Sequence, residues 1–154
     1  MNKGFQFVKA EPVHIPWVAD FMCPEDQEEV WATAHVTPLE AMEQSLAGAH
    51  MAWTITCKGR PVAIFGANGV SMTSSTAVPW LLGTTEYRQH GREIFKYARE
   101  YIDRMLLWFD HLANFVDSRN QVSVKWLEWC GFTIYPAVPW GVEGRLFHPF
   151  DLRR

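Results

Sequence analysis

The run Asn120-Gln121-Val122-Ser123-Val124-Lys125-Trp126-Leu127-Glu128-Trp129-Cys130-Gly131-Phe132 constrains the fold of this chain more than any other part of it. Asn120 is a residue type that caps helices, and Gly131 can take the left-handed conformation that ends one. Between them, Val124 and Leu127 with the Trp126, Trp129 and Cys130 side repeat at helical spacing. The run predicts one amphipathic helix, a glycine stop and the start of an apolar strand.

The rest of the chain supplies elements on both sides of that helix. Phe5 and Phe7 alternate with Gln6 and Val8 as a first strand, and His14 to Met22 reads as a short helix. A second helix starts near Pro24-Glu25-Asp26, where acids suit a helix N-terminus. Thr37-Pro38-Leu39-Glu40 is a stronger start signal, with Thr37 as cap, Pro38 at the first position and Glu40 closing a capping box. Met51–Cys57 and Pro61–Ala67 flank Lys58-Gly59-Arg60 as a hairpin. Thr76–Leu82 is a further strand in which Pro79 demands an edge or a bulge. One long helix is expected from about Gly91 to Leu112, with Ile94, Ala98, Tyr101, Ile102, Met105, Phe109 and Leu112 on its apolar face. Asn114–Asp117 is a brief strand, and Thr133–Tyr135 and Arg145–Leu152 are the last two. Pro136–Gly141 is an irregular connection between them. The order β-α-α-ββ-β-α-β-α-ββ predicts an α/β domain with a mixed sheet, a single unit over residues 1–154.

Composition narrows the function classes. At 154 residues, 48% hydrophobic and 20% charged, the chain can bury a core without staples. A formal charge of -3 gives no electrostatic footprint for nucleic acid. Cys23, Cys57 and Cys130 are far apart and odd in number, which argues against a disulfide framework. The six histidines show no metal-ligand spacing, so no metal is expected at His35 or His50. Met1-Asn2-Lys3-Gly4 leads straight into the first strand, with no apolar run long enough for a leader or a membrane span.

Two strings in this order carry a resemblance. The N-x-x-(S/A)-x-x-φ-φ-x-x-x-G-F pattern from Asn120 resembles the last helix of the GNAT N-acyltransferase fold. Thr85-Glu86-Tyr87-Arg88-Gln89-His90-Gly91-Arg92-Glu93 resembles the acyl-CoA pyrophosphate loop of that fold, (R/Q)-x-x-G-x-(G/A). There, small residues let backbone N–H groups approach phosphates closely. Arg88 and Gly91 match the pattern, and Glu93 departs from it by placing a carboxylate at the last position. The resemblance implies Arg88, Gly91, Arg92 and Asn120 as cofactor-binding positions.

A narrower resemblance rests on Trp31, Pro38-Leu39-Glu40-Ala41, Trp53, Gly59-Arg60-Pro61-Val62-Ala63, Phe65-Gly66, Pro79-Trp80-Leu81-Leu82-Gly83-Thr84, Arg104-Met105-Leu106 and Asn114-Phe115-Val116-Asp117. Together with the Asn120 helix these look like the phage family related to internal virion protein A of podophages of the coliphage T-seven group. That resemblance implies a GNAT-like shape used in particle assembly or genome ejection.

Catalysis by such a fold calls for a base and an acid. The acid position on the last helix corresponds to Leu127, which has no proton to give, and Ala77–Thr84 holds no carboxylate for a base. Substitutes are Glu86, His90 and Tyr135, with Tyr87 or Tyr101 as acids. Cys130 reads as a structural thiol, because a helix C-terminus raises a thiol pKa. The eight tryptophans, with Trp126 and Trp129 on one helix face, favour a docking surface.

The reading is therefore a GNAT-fold virion or assembly protein that acts by contacts with other phage structural proteins. It needs no cofactor, is located in the virion or host cytoplasm, and forms an oligomer within a particle. Nucleic acid and membrane are not expected partners. The alternative is an acetyl-CoA-dependent N-acetyltransferase acting on a protein or small amine.

Overall fold

The computed structural model describes residues 4–154. The first three residues, read above as a plain lead into the first strand, lie outside the described residues. Eight strands form one sheet in the order β1-β2-β3-β4-β5-β8-β6, with β7 pairing to β8. The strands are β1 (Phe5–Lys9), β2 (Met51–Cys57), β3 (Arg60–Gly69), β4 (Thr76–Gly83), β5 (His111–Asp117), β6 (Thr133–Ile134), β7 (Val138–Trp140) and β8 (Arg145–Arg153). All neighbours are antiparallel except β4 and β5.

The β2–β3 hairpin follows from two adjacent residues at positive φ, Lys58 at 51° and Gly59 at 82°. Such a pair turns the chain with the twist the strands need. Helices α1 (Ile15–Asp20), α2 (Pro24–Ala34) and α3 (Pro38–Ala47) precede the hairpin. The capping box at α3 forms as read: Thr37 Oγ1 accepts from Glu40 N–H, and Glu40 Oε1 accepts from Thr37 N–H. Helices α4 (Thr85–Gln89), α5 (Gly91–Phe95) and α6 (Ala98–Trp108) link β4 to β5, and α7 (Gln121–Trp129) follows β5.

Two cores sandwich the sheet. Ile15, Val18, Met42, Ile64 and Leu82 pack under α1 and α3 on one face. Phe65, Ala67, Ile94, Tyr101, Met105, Leu112 and Val124 pack under α5, α6 and α7 on the other. Adjacent β3 residues Ile64 and Phe65 enter opposite cores, as the period of a strand requires.

Three expectations are corrected. The long helix from Gly91 to Leu112 is two helices and a strand start. A turn at Lys96–Tyr97 sends Phe95 to Trp126 and Tyr97 to Phe7, at ring separations of 5.1 and 6.0 Å. Phe109 then leaves α6 in an extended conformation, and Leu112 is fully buried in β5. The Pro136–Gly141 connection contains a real strand, β7, whose Val138–Trp140 pair with Phe147–Arg145. Asn120 does not cap α7 with its side chain, which is spent elsewhere. Gly131 does end the α7 segment as read, at φ 99°.

Candidate functional site

Parallel strands β4 and β5 pair only at their beginnings, Thr76 with His111 and Ala77 with Leu112. Beyond that point they splay. Pro79 has no N–H to offer, and the splay is where none is needed: β4 is a central strand whose far half has an edge of its own. This resolves the sequence expectation of an edge or bulge at Pro79. Asn114 from β5 crosses the opening and donates from Nδ2 to the Pro79 carbonyl at 2.7 Å.

The splay opens into a cavity of about 560 Å³ lined from both helix layers. Asp26, Glu29, Val30, Thr33, Gln44 and Ser45 line it on the α2–α3 side, and Ile94, Phe95, Tyr101, Ile102, Trp126 and Leu127 on the other. The cavity thus passes through the sheet, apolar on one side and partly acidic on the other.

The acidic wall comes from α2. Asp26 and Glu29 lie one turn apart on its inward face, with Val30 and Thr33. Cys23 N–H donates to the Gly83 carbonyl, which pins the start of α2 to the end of β4. Asp26 Oδ2 accepts from Gly83 N–H at 2.9 Å, and Glu29 Oε1 accepts from Asp117 N–H at 2.9 Å. The two carboxylates therefore occupy the last amides of the two splayed strands. Burial lifts the Asp26 carboxyl above its ordinary range, against the pull of Arg88. Burial and then the charge of Asp26 push Glu29 up to about 7.

Arg88 faces them from α4. Its Nη2 donates to Asp26 Oδ1 at 2.9 Å, and to Asn120 Oδ1 and Ser123 Oγ at 3.3 Å each. Its Nε and Nη1 are buried and have no hydrogen-bond partner among the described residues. The guanidinium stands 5.6 Å from the centre of the Trp126 ring. Such contacts draw Arg88 into the cavity and away from the outer turn of its loop.

Of the residues singled out in the sequence, Arg88 and Asn120 line the cavity. Gly91, Arg92, Glu86, His90 and Tyr135 do not. Glu86 is held by Arg60, with Nη2–Oε2 at 2.6 Å. His90 packs on Phe5 at 5.5 Å and lies 3.8 Å from Glu93. Arg92 is exposed. Tyr135, just past the far strand β6, donates to Asp151 at 2.8 Å. Tyr87 and Tyr101 both line the cavity, and burial raises both phenols. Cys130 is buried with its thiol pushed up to about 12 by desolvation, in accord with a structural thiol.

The Thr85–Glu93 string forms two short helices, and the amides of Arg88, His90, Glu93 and Ile94 donate to carbonyls of their own turns. A Cβ built on Gly91 would stand 2.4 Å from Cη2 and Cζ2 of Trp126. The indole, packed against Phe95 and edge-on to Tyr87, covers the glycine.

Sequence reasoning missed Glu29. The signal was present as two carboxylates, Asp26 and Glu29, at the spacing that puts them on the same helix face as Val30 and Thr33. Acids on the inward face of a helix are expensive to bury and call for a partner or a purpose. Among the described residues no group of three His, Cys, Asp or Glu side chains is arranged to hold a metal, and no helix is long and apolar enough to cross a membrane.

No protein-family model matches the chain, and neither does any curated protein sequence. Solved structures do. The ribosomal L7/L12 α-N-protein acetyltransferase RimL, solved with coenzyme A, superposes with a TM-score of 0.71 at 8% identity, covering 97% of this chain and 94% of that one. A GCN5-related N-acetyltransferase from Kribbella flavida gives 0.69 at 18% identity with full coverage of both chains, 100% each. Spermidine N-acetyltransferase from Vibrio cholerae, in complex with CoA and spermine, gives 0.66 at 14% identity over 97% of this chain and 95% of that one. None of these supports the narrower resemblance to the internal virion protein A family. With its splayed β4 and β5 and its mixed sheet, this chain has the GNAT acetyltransferase fold.

Proposed function

We propose that the chain is an acyl-CoA-dependent N-acyltransferase whose acceptor is a primary amine. The observation that carries this reading is the cavity through the sheet at the β4–β5 splay, apolar on the α5–α7 side and acidic on the α2 side. A thioester arm and a cationic amine brought from opposite faces would meet there. The fit of an acyl-CoA is favourable at its acyl end. Ile94, Phe95, Ile102 and Leu127 give the arm an apolar wall, and the unpartnered Nε and Nη1 of Arg88 are donors in want of an oxygen. At the diphosphate end the Trp126 indole covers Gly91, so that end is open only with the ring displaced.

When bound, acyl-CoA supplies an acyl carbon activated by its thioester. The chain's own contribution is position and charge. Arg88, Asn120 and Ser123 would hold the arm where β4 and β5 part. The Asp26 and Glu29 wall would attract a cationic acceptor. Holding two reactants in one cavity supplies a large share of the rate by itself, which eases the lack of an acid at Leu127. Incubation with acetyl-CoA and either spermidine or an alanine-starting peptide, read by mass spectrometry, is the test. Acetylated acceptor supports the reading, and unmodified acceptors in the presence of bound acetyl-CoA confine it to other amines. Absence of acetyl-CoA binding, in the wild type and in Trp126→Leu alike, overturns it.

A second reading is favoured by the covered Gly91 and by Leu127: a GNAT shell that acts through protein contacts, with phage structural proteins as the partners the sequence resemblance implies. It predicts no cofactor binding even with Trp126 removed.

A further inference from the structure

We propose that Glu29 is the catalytic base of this site, delivered from α2 rather than from β4. The inference rests on the acyl-transfer reading of the cavity. The far half of β4 carries no carboxylate, so the base must come from elsewhere in the wall. Asp26 and Glu29 are the acids that line the cavity. Asp26 is committed: Oδ2 accepts from Gly83 N–H, and Oδ1 from Arg88. Both oxygens are thus engaged, and a proton taken up by Asp26 would break its buried pair with Arg88.

Glu29 differs in the partners it has. Its Oε1 accepts from Asp117 N–H, a neutral backbone donor. A carboxylate offers about four lone-pair sites, so this donor fixes its direction and leaves capacity for an amine N–H. The Asp117 amide belongs to the end of β5, so the carboxylate is anchored at the mouth of the splay, on the α2 side of the cavity. An amine entering from that side meets Glu29 before it meets the apolar half.

The charges around it suit the role. Asp26 faces it from its own helix, Asp117 from β5, and Arg88 from α4 is taken up by Asp26. Arg119, beyond β5, is bound to Asp117 and Glu28. Two acids and no uncommitted cation leave a carboxyl that titrates near neutrality, pushed up to about 7 by burial and Asp26. A base poised near the working pH is the efficient one.

In the step, Glu29 would take one proton from the ammonium, and the lone pair so freed would form a C–N bond with the acyl carbon as the C–S bond breaks. The second N–H proton would pass to solvent, and the sulfur would leave as thiolate to be protonated by solvent, since Leu127 offers no proton.

The test is release of the CoA thiol from acetyl-CoA, with water and with spermidine as probe acceptors, across the neutral pH range. Wild type, Glu29→Gln and Glu29→Asp are compared, and acetyl-CoA binding is measured for each by calorimetry. Gln keeps the size of the side chain and the acceptor for Asp117 N–H. The expected result is equal binding, with release in the Gln variant lower by about a hundredfold or more. The wild-type rate should rise with pH through a midpoint near 7 that the Gln variant lacks. Equal binding with release in the Gln variant within about threefold of wild type overturns the role of Glu29 and leaves the cofactor reading intact. Wild-type binding without release overturns it too. No binding by any variant overturns both.

Discussion

Arg88 Nη2 and Asp26 Oδ1 meet at 2.9 Å with side chains only 13% and 5% exposed, a buried ion pair between α4 and α2. It fastens the loop after β4 to the helix that closes the cavity. Removing one partner of a buried pair strands the other charge, at a cost of about 3–5 kcal/mol. Arg88→Met should therefore lower the urea-unfolding free energy by that order at neutral pH. Arg88→Met combined with Asp26→Asn should recover more than half of it. Because burial raises the Asp26 carboxyl, acid conditions should shrink the penalty of the single variant.

Glu29 makes the opposite prediction for stability. Its carboxyl is raised from 4.5 to about 7 in the folded chain, so the native state holds a proton that the unfolded state has lost within that window. Stability must then fall as pH rises through the window and level off above it. Glu29→Gln should match wild type at the acid end and exceed it above neutrality. At about 1.4 kcal/mol per unit the gain is on the order of 3 kcal/mol at most. Thermal or urea unfolding at both pH extremes checks it. A residue whose loss stabilises the fold while abolishing release would be one retained for chemistry.

The Gly91–Trp126 contact is a steric statement. Gly91→Ala places a methyl 2.4 Å from the indole, which Phe95 and Tyr87 hold in place. Overpacking of this kind costs about 1–3 kcal/mol. Trp126→Leu should make Gly91→Ala nearly neutral, a coupling that a double-mutant cycle of unfolding free energies measures. Trp126→Leu should also tighten acetyl-CoA binding, since a ligand that needs the ring displaced no longer bears the cost of displacing it.

Glu86→Gln and Tyr135→Phe should leave thiol release within about twofold of wild type. Glu86 is engaged with Arg60 near the surface, where solvent screens the pair, and Tyr135 bonds Asp151 on the β6 side of the sheet. A large rate loss in either would move the site away from the β4–β5 splay.

Elements with local signals were legible in the sequence. Thr37-Pro38-Leu39-Glu40 announces α3, Lys58-Gly59 the hairpin, and Gly131 the end of the α7 segment, because capping and positive φ are decided within a few residues. The segment from Gly91 to Leu112 misled, because its apolar residues keep helical spacing across a turn and into β5. The rings of Phe95 and Tyr97, drawn to different walls, decide the break. The fold was readable from element order. The cavity was legible in part: Arg88 and Asn120, singled out in the sequence, line it, but the bonds of Arg88 to Asp26 and to Asn120 depend on contacts across 62 and 32 positions of sequence. Glu29 lies 88 positions from the amide that orients it, so its place in the cavity wall emerges only from the folded chain.

Calorimetric titration of the wild-type chain with acetyl-CoA, beside Ser123→Phe as a cavity-filled control, asks whether the β4–β5 splay holds an acyl-CoA. Ser123 lines the cavity next to Arg88, so a phenyl ring there should fill the space for the arm. Saturable binding to the wild type and strongly weakened binding to the control are expected. No heat from the wild type at millimolar ligand, with Trp126→Leu equally silent, would contradict this and leave a GNAT fold used as a scaffold.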